Sequence, residues 1–338
     1  MDFTTKVQIT PHKEGLTYKN KILMLGSCFA DEVGKYLKDY RFQVMVNPFG
    51  TLYNPCSIAN AIERLAIATE FTPEDVIESN GIFTSFYHHS SIFGTTPEEF
   101  LTTANNQLRT NAFFFKEADA IIITLGTAHI YTHPARRIVV SNCHKIKASA
   151  FERRLLDKAE ISTELQKITD IIAANTQCQH IIFTVSPIRH LKDGAHANQL
   201  SKAALLLAVE QLILQSAKAQ EHTNDSIHLS LTHKQSDSPK PYPTLSYFPA
   251  YEIMMDELRD YRFYAADMVH PSPLAIEYIF HHFTQTFISQ SARTLMNEAI
   301  RLTKAQNHRP LFPETPQYLA FQKRLQEDLE KFNKKIKE

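Results

Sequence analysis

Tryptophan is absent from this 338-residue chain and glycine is scarce, with eight residues where an average of about 7% would supply roughly 24. Each glycine is therefore a stronger candidate for a backbone conformation that other residues resist. Cysteine is rarer still. Cys28, Cys56, Cys143 and Cys178 have neither Cys-x-x-Cys spacing nor the density of a secreted disulfide scaffold, so free thiols in a reducing cytoplasm are expected. Net charge is missing too. The 36 Lys and Arg balance 36 Asp and Glu, which removes the bulk basic footprint of a nucleic-acid or anionic-membrane binder. No uninterrupted apolar stretch approaches the roughly 18 residues of a membrane span. The opening Met1-Asp2-Phe3-Thr4-Thr5-Lys6 lacks the basic-then-apolar order of a signal peptide. The expectation is a cytoplasmic globular protein with no nucleic-acid and no membrane partner.

What is present is an alternation of short apolar runs with segments of helical period, the pattern of an α/β protein with a mostly parallel sheet. The first run is Lys21 to Leu25, closed by Gly26-Ser27; Phe29, Val33, Tyr36 and Leu37 then mark one face of a helix. A second run, Gln43 to Val46, enters the turn Asn47-Pro48-Phe49-Gly50, and Ser57 to Ala68 reads as helix. Residues 76–95, with Asn80-Gly81, read as a β-hairpin outside the main sheet. Ala120 to Leu125 is a third buried strand, followed by a hairpin through Ile138-Val139-Val140 and a helix at about 150–175. His180 to Val185 is the fourth strand, ending in Ser186-Pro187; residues 198–217 form a strong helix, and Ile227 to Leu231 is the expected fifth strand. A proline-rich loop covers 235–245, and a last core helix starts near Pro273. In the tail, Tyr318, Phe321, Leu325, Leu329, Phe332 and Ile336 make a single apolar stripe. That stripe suits docking on the same chain or a homodimer.

Three features carry chemistry. Ser27 follows the first strand and opens a helix, where ligands of open parallel sheets bind and where helix N–H groups favour negative charge. The same position suits a plain N-cap. Asp267-Met268-Val269-His270-Pro271 places an acid three residues before a histidine, enough for one loop to supply a general base and the group that orients it. Gly50 offers a backbone N–H after the second strand, or is an ordinary turn glycine.

Gly26-Ser27-Cys28-Phe29-Ala30 resembles the GSCFA family, which is grouped with the SGNH/GDSL-type hydrolases. Further blocks carry the resemblance: Asn47-Pro48-Phe49-Gly50-Thr51, Thr124-Leu125-Gly126-Thr127, Asn142-Cys143-His144-Lys145, Ser186-Pro187-Ile188-Arg189-His190, Tyr247-Phe248-Pro249-Ala250-Tyr251-Glu252 and Asp267-Met268-Val269-His270-Pro271-Ser272. It implies a three-layer α/β/α, flavodoxin-like fold with a five-stranded, mostly parallel sheet over residues 1–288, before a helical extension at 289–338. It also implies an ester hydrolase acting through an acyl-Ser27 intermediate. His270 would be the base and then the acid, and Asp267 its orienting partner. The backbone N–H groups of Ser27 and Gly50 would form the oxyanion hole. No cofactor is implied; the partner is a small-molecule or glycan ester. An acyltransferase with the same triad, and a catalytically silent binding module, are the alternatives.

One departure stands out. The SGNH pattern has Gly-x-Asn after the third strand, where this chain has Gly126-Thr127-Ala128. Loss of one oxyanion donor costs on the order of 10²–10³ in rate, and Asn142 and Thr127 are candidate substitutes. Arg189 and His190, after the fourth strand, are candidate substrate-binding residues, the arginine suiting a carboxylate or phosphate. Cys28 and Cys143 are poorer nucleophile candidates, since free cysteine is usually a small buried hydrophobe. The sixteen histidines invite a metal, but His88, His89, Cys143, His144, His190 and His196 lack tight zinc spacing, and no metal is expected. A working triad needs Ser27 Oγ within about 3.2 Å of a His270 nitrogen, or modestly farther without substrate.

Overall fold

The computed structural model describes residues 4–12, 15–228 and 241–337. Five parallel strands form the central sheet: β1 (Lys21–Gly26), β2 (Gln43–Val46), β5 (Ala120–Leu125), β9 (His180–Val185) and β10 (Thr244–Phe248). Their order is β10-β9-β5-β1-β2. The chain thus reverses its direction of sheet growth between β1 and β5, and that switch point is where such folds bind ligands. The inner strands read as continuous apolar runs because both faces are covered. Alternation then sorts the residues. Leu23, Leu25, Ile121, Ile123, Ile181 and Phe183 enter the core beneath one helix layer, while Ile22, Met24, Ile122 and Ile182 enter the other.

The first layer contains α2 (Pro55–Ile67), α3 (Pro97–Lys116), α4 (Lys158–Asn175) and α5 (Gly194–His228), with α2 packed on α4 and α4 on α5. The second contains α1 (Cys28–Asp39) and α7 (Pro273–Phe287); α6 (Ala250–Glu252) is a single turn after β10. By length and composition alone, Leu191–Ala219 would suffice to cross a membrane. Here Leu205, Ala208, Val209 and Leu212 of that segment lie in the core.

Two antiparallel excursions complete the body. The hairpin β3 (Val76–Ser79) to β4 (Ile82–Ser85) turns at Asn80 and Gly81, whose φ of 53° and 77° suit the expected Asn-Gly turn. A second, three-stranded sheet joins β6 (His129–His133), β7 (Ile138–Val140) and β8 (Glu152–Leu155). The helix expected from about 150 therefore begins at Lys158, where Asp157 and Glu160 form a capping box.

The fifth strand needs a correction. The fifth strand of the sheet is Thr244–Phe248, whose first two residues fall in the segment read as loop. Ile227 and His228 finish α5, and residues 229–231 lie outside the described residues. The alternating Ile-His-Leu-Ser-Leu pattern looks like a strand, but period alone says nothing about which segment lies beside β9.

The tail forms α8 (Gln290–Gln306) and α9 (Pro316–Lys335). Ala292, Met296, Ala299 and Leu302 join the core shared by α1 and α7, as do Leu329 and Phe332. The Phe332 ring meets Tyr18 edge-on at 5.6 Å, and Tyr18 stacks on Phe42 at 4.3 Å. The second half of the stripe thus docks on its own chain, while Phe321 stays exposed.

Candidate active site

The site starts where β1 ends. Gly26 has φ +137°, and a Cβ there would collide with the Thr124 carbonyl on the neighbouring strand. The bare glycine avoids that clash and lets the chain take this conformation on its way into α1. Ser27 is the N-cap of α1, its Oγ accepting the Phe29 N–H at 3.3 Å, and it is fully buried. The Ser27 N–H donates to the Thr124 carbonyl at 3.1 Å.

Asn47 braces this turn from the end of β2. In the left-handed conformation (φ 47°), its Oδ1 accepts the Gly26 N–H and its Nδ2 donates to Asp31 of α1, both at 2.8 Å. Its carbonyl accepts the Gly50 N–H at 2.7 Å. Both backbone groups expected to form the oxyanion hole are therefore committed within the fold.

Asp267 and His270 form the clearest catalytic-type contact. Asp267 Oδ1 accepts the N–H groups of Val269 and His270, each at 2.9 Å, while Oδ2 lies 2.6 Å from His270 Nδ1. The His270 and Val269 N–H groups, with the imidazole, hold the Asp267 carboxyl down at about 2. The turn is closed by the Ala265 N–H donating to the His270 carbonyl at 2.8 Å, just before Ser272 caps α7. Both side chains are about half exposed. Ser27 Oγ makes no hydrogen bond to His270; its contact is with α1.

The loop after β9 supplies the next wall. The His190 N–H donates to Asn198 Oδ1 at 2.9 Å, and its ring stands edge-on to Tyr53 at 5.5 Å. Its Nε2 is buried without a partner. Burial first, then the charges of Lys202, His270 and His129, pull its pKa down to about 4. His270 thus lies within electrostatic range of a ring that touches the end of β5. Arg189 acts on Tyr251 and Tyr264, opposing the upward push of burial on their hydroxyls.

Sequence reasoning overlooked Lys202, Asn198, Asn47 and Tyr53. Lys202 is fully buried, and its Nζ donates to the carbonyls of Gly126 and Ser186, both at 2.7 Å. It therefore ties the ends of β5 and β9 together. Burial pulls its pKa down to about 7. A signal existed: Lys202 is spaced 3, 4, 3 with Leu205, Val209 and Leu212 on the apolar face of α5. The Tyr53 carbonyl receives the N–H groups of Gly126 and Thr127, at 2.8 and 2.9 Å.

The two candidate substitutes for the missing asparagine have other partners. Thr127 Oγ1 lies 3.1 Å from Ser201 Oγ and accepts the His129 N–H. Asn142 Oδ1 accepts the His144 N–H at 2.8 Å, in the loop after β7. Burial pushes the Cys28 thiol up to about 11 and raises Cys143 as well, which disfavours either thiolate. Among the described residues, no three His, Cys, Asp or Glu side chains gather as a metal set.

The GSCFA family model matches residues 21–283, and the model for the GSCFA domain protein, C-terminal domain, matches 300–338. No curated protein matches the chain. Among solved structures, an acetyl xylan esterase from the rumen bacterium Butyrivibrio proteoclasticus is similar at 11% identity and a TM-score of 0.37. That match covers 84% of this chain and 65% of the other, a likeness too slight to bear on the chemistry.

Proposed function

The chain belongs to the GSCFA family, and we propose that it is an SGNH-type serine hydrolase that cleaves an acyl or O-acetyl ester. The observation that carries this reading is the Asp267–His270 contact at 2.6 Å, with His270 in range of the loop that overhangs β5. An aspartate on Nδ1 leaves Nε2 as the nitrogen that accepts the serine proton.

In the first step Ser27 Oγ attacks the ester carbonyl carbon and its proton passes to His270 Nε2. The tetrahedral intermediate collapses, the ester C–O bond breaks, and the departing alcohol takes that proton. Water then repeats the sequence on the acyl-Ser27, releasing the acid and restoring the hydroxyl. Ser27 must exchange its Phe29 N–H partner for His270 before attack, in keeping with catalytic hydrogen bonds that tighten only with substrate. Arg189 would hold an acidic group on the substrate. A hydroxyl acceptor in place of water would make the same triad an acyltransferase.

A silent binding module is the second reading, favoured by the full burial of Ser27 and its N-cap bond. A fluorophosphonate probe followed by mass-spectrometric mapping separates the two. Modification of Ser27 alone, lost in His270→Ala, is expected of the hydrolase. A folded chain that takes no label at Ser27 would favour the module.

A further inference from the structure

An oxyanion needs hydrogen-bond donors aimed at it, in a site that excludes water. Around the ends of β1 and β5, six backbone donors are already committed. The Ser27 N–H goes to Thr124, Gly50 to Asn47, Leu52 to Gly26, and both Gly126 and Thr127 to Tyr53. The Ala128 N–H goes to Ser201 Oγ. With these committed, a side chain is the place to look for a further donor.

We propose that His190, as a neutral imidazole donating from Nε2–H, is the side-chain donor that receives the oxyanion when Ser27 attacks; this rests on the hydrolase reading above. Its Nε2 is buried with no partner, and a buried polar atom left so calls for an explanation, of which a catalytic role is one. The position fits. A Cβ built on Gly126 would stand 3.2 Å from His190 Nε2 and 3.1 Å from the Tyr53 carbonyl, so the imidazole occupies the space that the bare glycine leaves. Gly126 directly follows β5, the strand beside β1, whose last residue, Gly26, is in register with Thr124 and precedes Ser27.

The surroundings hold the ring for this task. Asn198 fixes the His190 backbone. Lys202, one turn farther along α5, ties the carbonyls of Gly126 and Ser186 and so fixes both segments that bracket the ring. A nearby cation also disfavours imidazolium, so His190 stays neutral where His270 must gain and lose a proton. The pair would divide the work as donor and base.

The test compares wild type with His190→Phe, His190→Gln and Asn198→Ala, each checked for folding by circular dichroism and melting. The readout is the rate of fluorophosphonate labelling at Ser27, because the phosphonyl oxygen occupies the oxyanion position. His190→Phe keeps a ring without the donor and should slow labelling by about 10²-fold. His190→Gln restores a donor and should recover part of the rate. In the labelled wild type, the His190 Nε2–H proton should shift downfield by NMR. Labelling at the wild-type rate in folded His190→Phe overturns the inference alone, and so does a loss confined to Asn198→Ala. A wild-type chain that takes no label at Ser27 removes the hydrolase reading and this inference with it.

Discussion

Asp267 grips His270 at two points, through the backbone N–H at 2.9 Å and through the imidazole Nδ1 at 2.6 Å. One carboxylate therefore sets both the loop conformation and the ring orientation. Because the Val269 N–H also donates to it, the carboxylate accepts three hydrogen bonds, and these, ahead of the charge on His270, hold its pKa down at about 2. It stays ionised throughout the neutral and mildly acidic range.

Asp267→Asn keeps the acceptor for the two backbone N–H groups but removes the charge that supports an imidazolium. Labelling of Ser27 by the fluorophosphonate should fall by up to roughly 10⁴-fold, with little change in melting temperature. A rate within twofold of wild type would remove Asp267 from the mechanism.

Gly26→Ala tests the backbone turn that delivers Ser27. The φ of +137° is strained for any L side chain, and the added methyl meets the Thr124 carbonyl head-on. The expected loss is roughly 3 kcal/mol or more, read from urea unfolding. An unchanged unfolding midpoint would mean that the strand end accommodates a side chain after all.

Lys202→Met tests the buried ammonium through pH. Burial lowers the folded-state pKa to about 7, against about 10.4 for an unperturbed lysine. Above pH 7 the unfolded chain binds more protons at this site, so stability should rise with pH there. The slope is about 1.4 kcal/mol per pH unit, and below pH 7 this contribution flattens. The useful window is about pH 7–8.5, before the thiols raised by burial, Cys28 and Cys56, act in the opposite sense. Urea unfolding of wild type and variant over that window should show the extra slope in wild type only. Parallel profiles would mean that Lys202 does not change protonation there.

Much of the frame is legible in the residue order because the inner strands are buried on both faces. Runs such as Ala120 to Leu125 stand out from their polar flanks. The α1 helix is legible for a related reason: one face must be apolar, and Phe29, Val33 and Leu37 mark it. β10 escaped notice because an edge strand is only half covered, and Thr244 to Phe248 reads as a short mixed segment after prolines. At Ser27 the functional and the structural readings coexist, since the residue singled out as a nucleophile is also an N-cap.

The sequence by itself determined which residues could do chemistry: a serine at a strand end, an acid and a histidine sharing one turn, and an alanine, Ala128, where an asparagine might have stood. The acid and histidine follow from local spacing, because two residues three apart in one loop reach each other wherever the loop goes. Only the tertiary structure decided which polar groups are already partnered. The Ser27 and Gly50 N–H groups find carbonyls across strand ends and turns, while His190 Nε2 is buried over Gly126 with none. A hydrogen-bond partner is a matter of distance in space, and the residues that bring His190 and Gly126 together lie more than sixty positions apart along the chain.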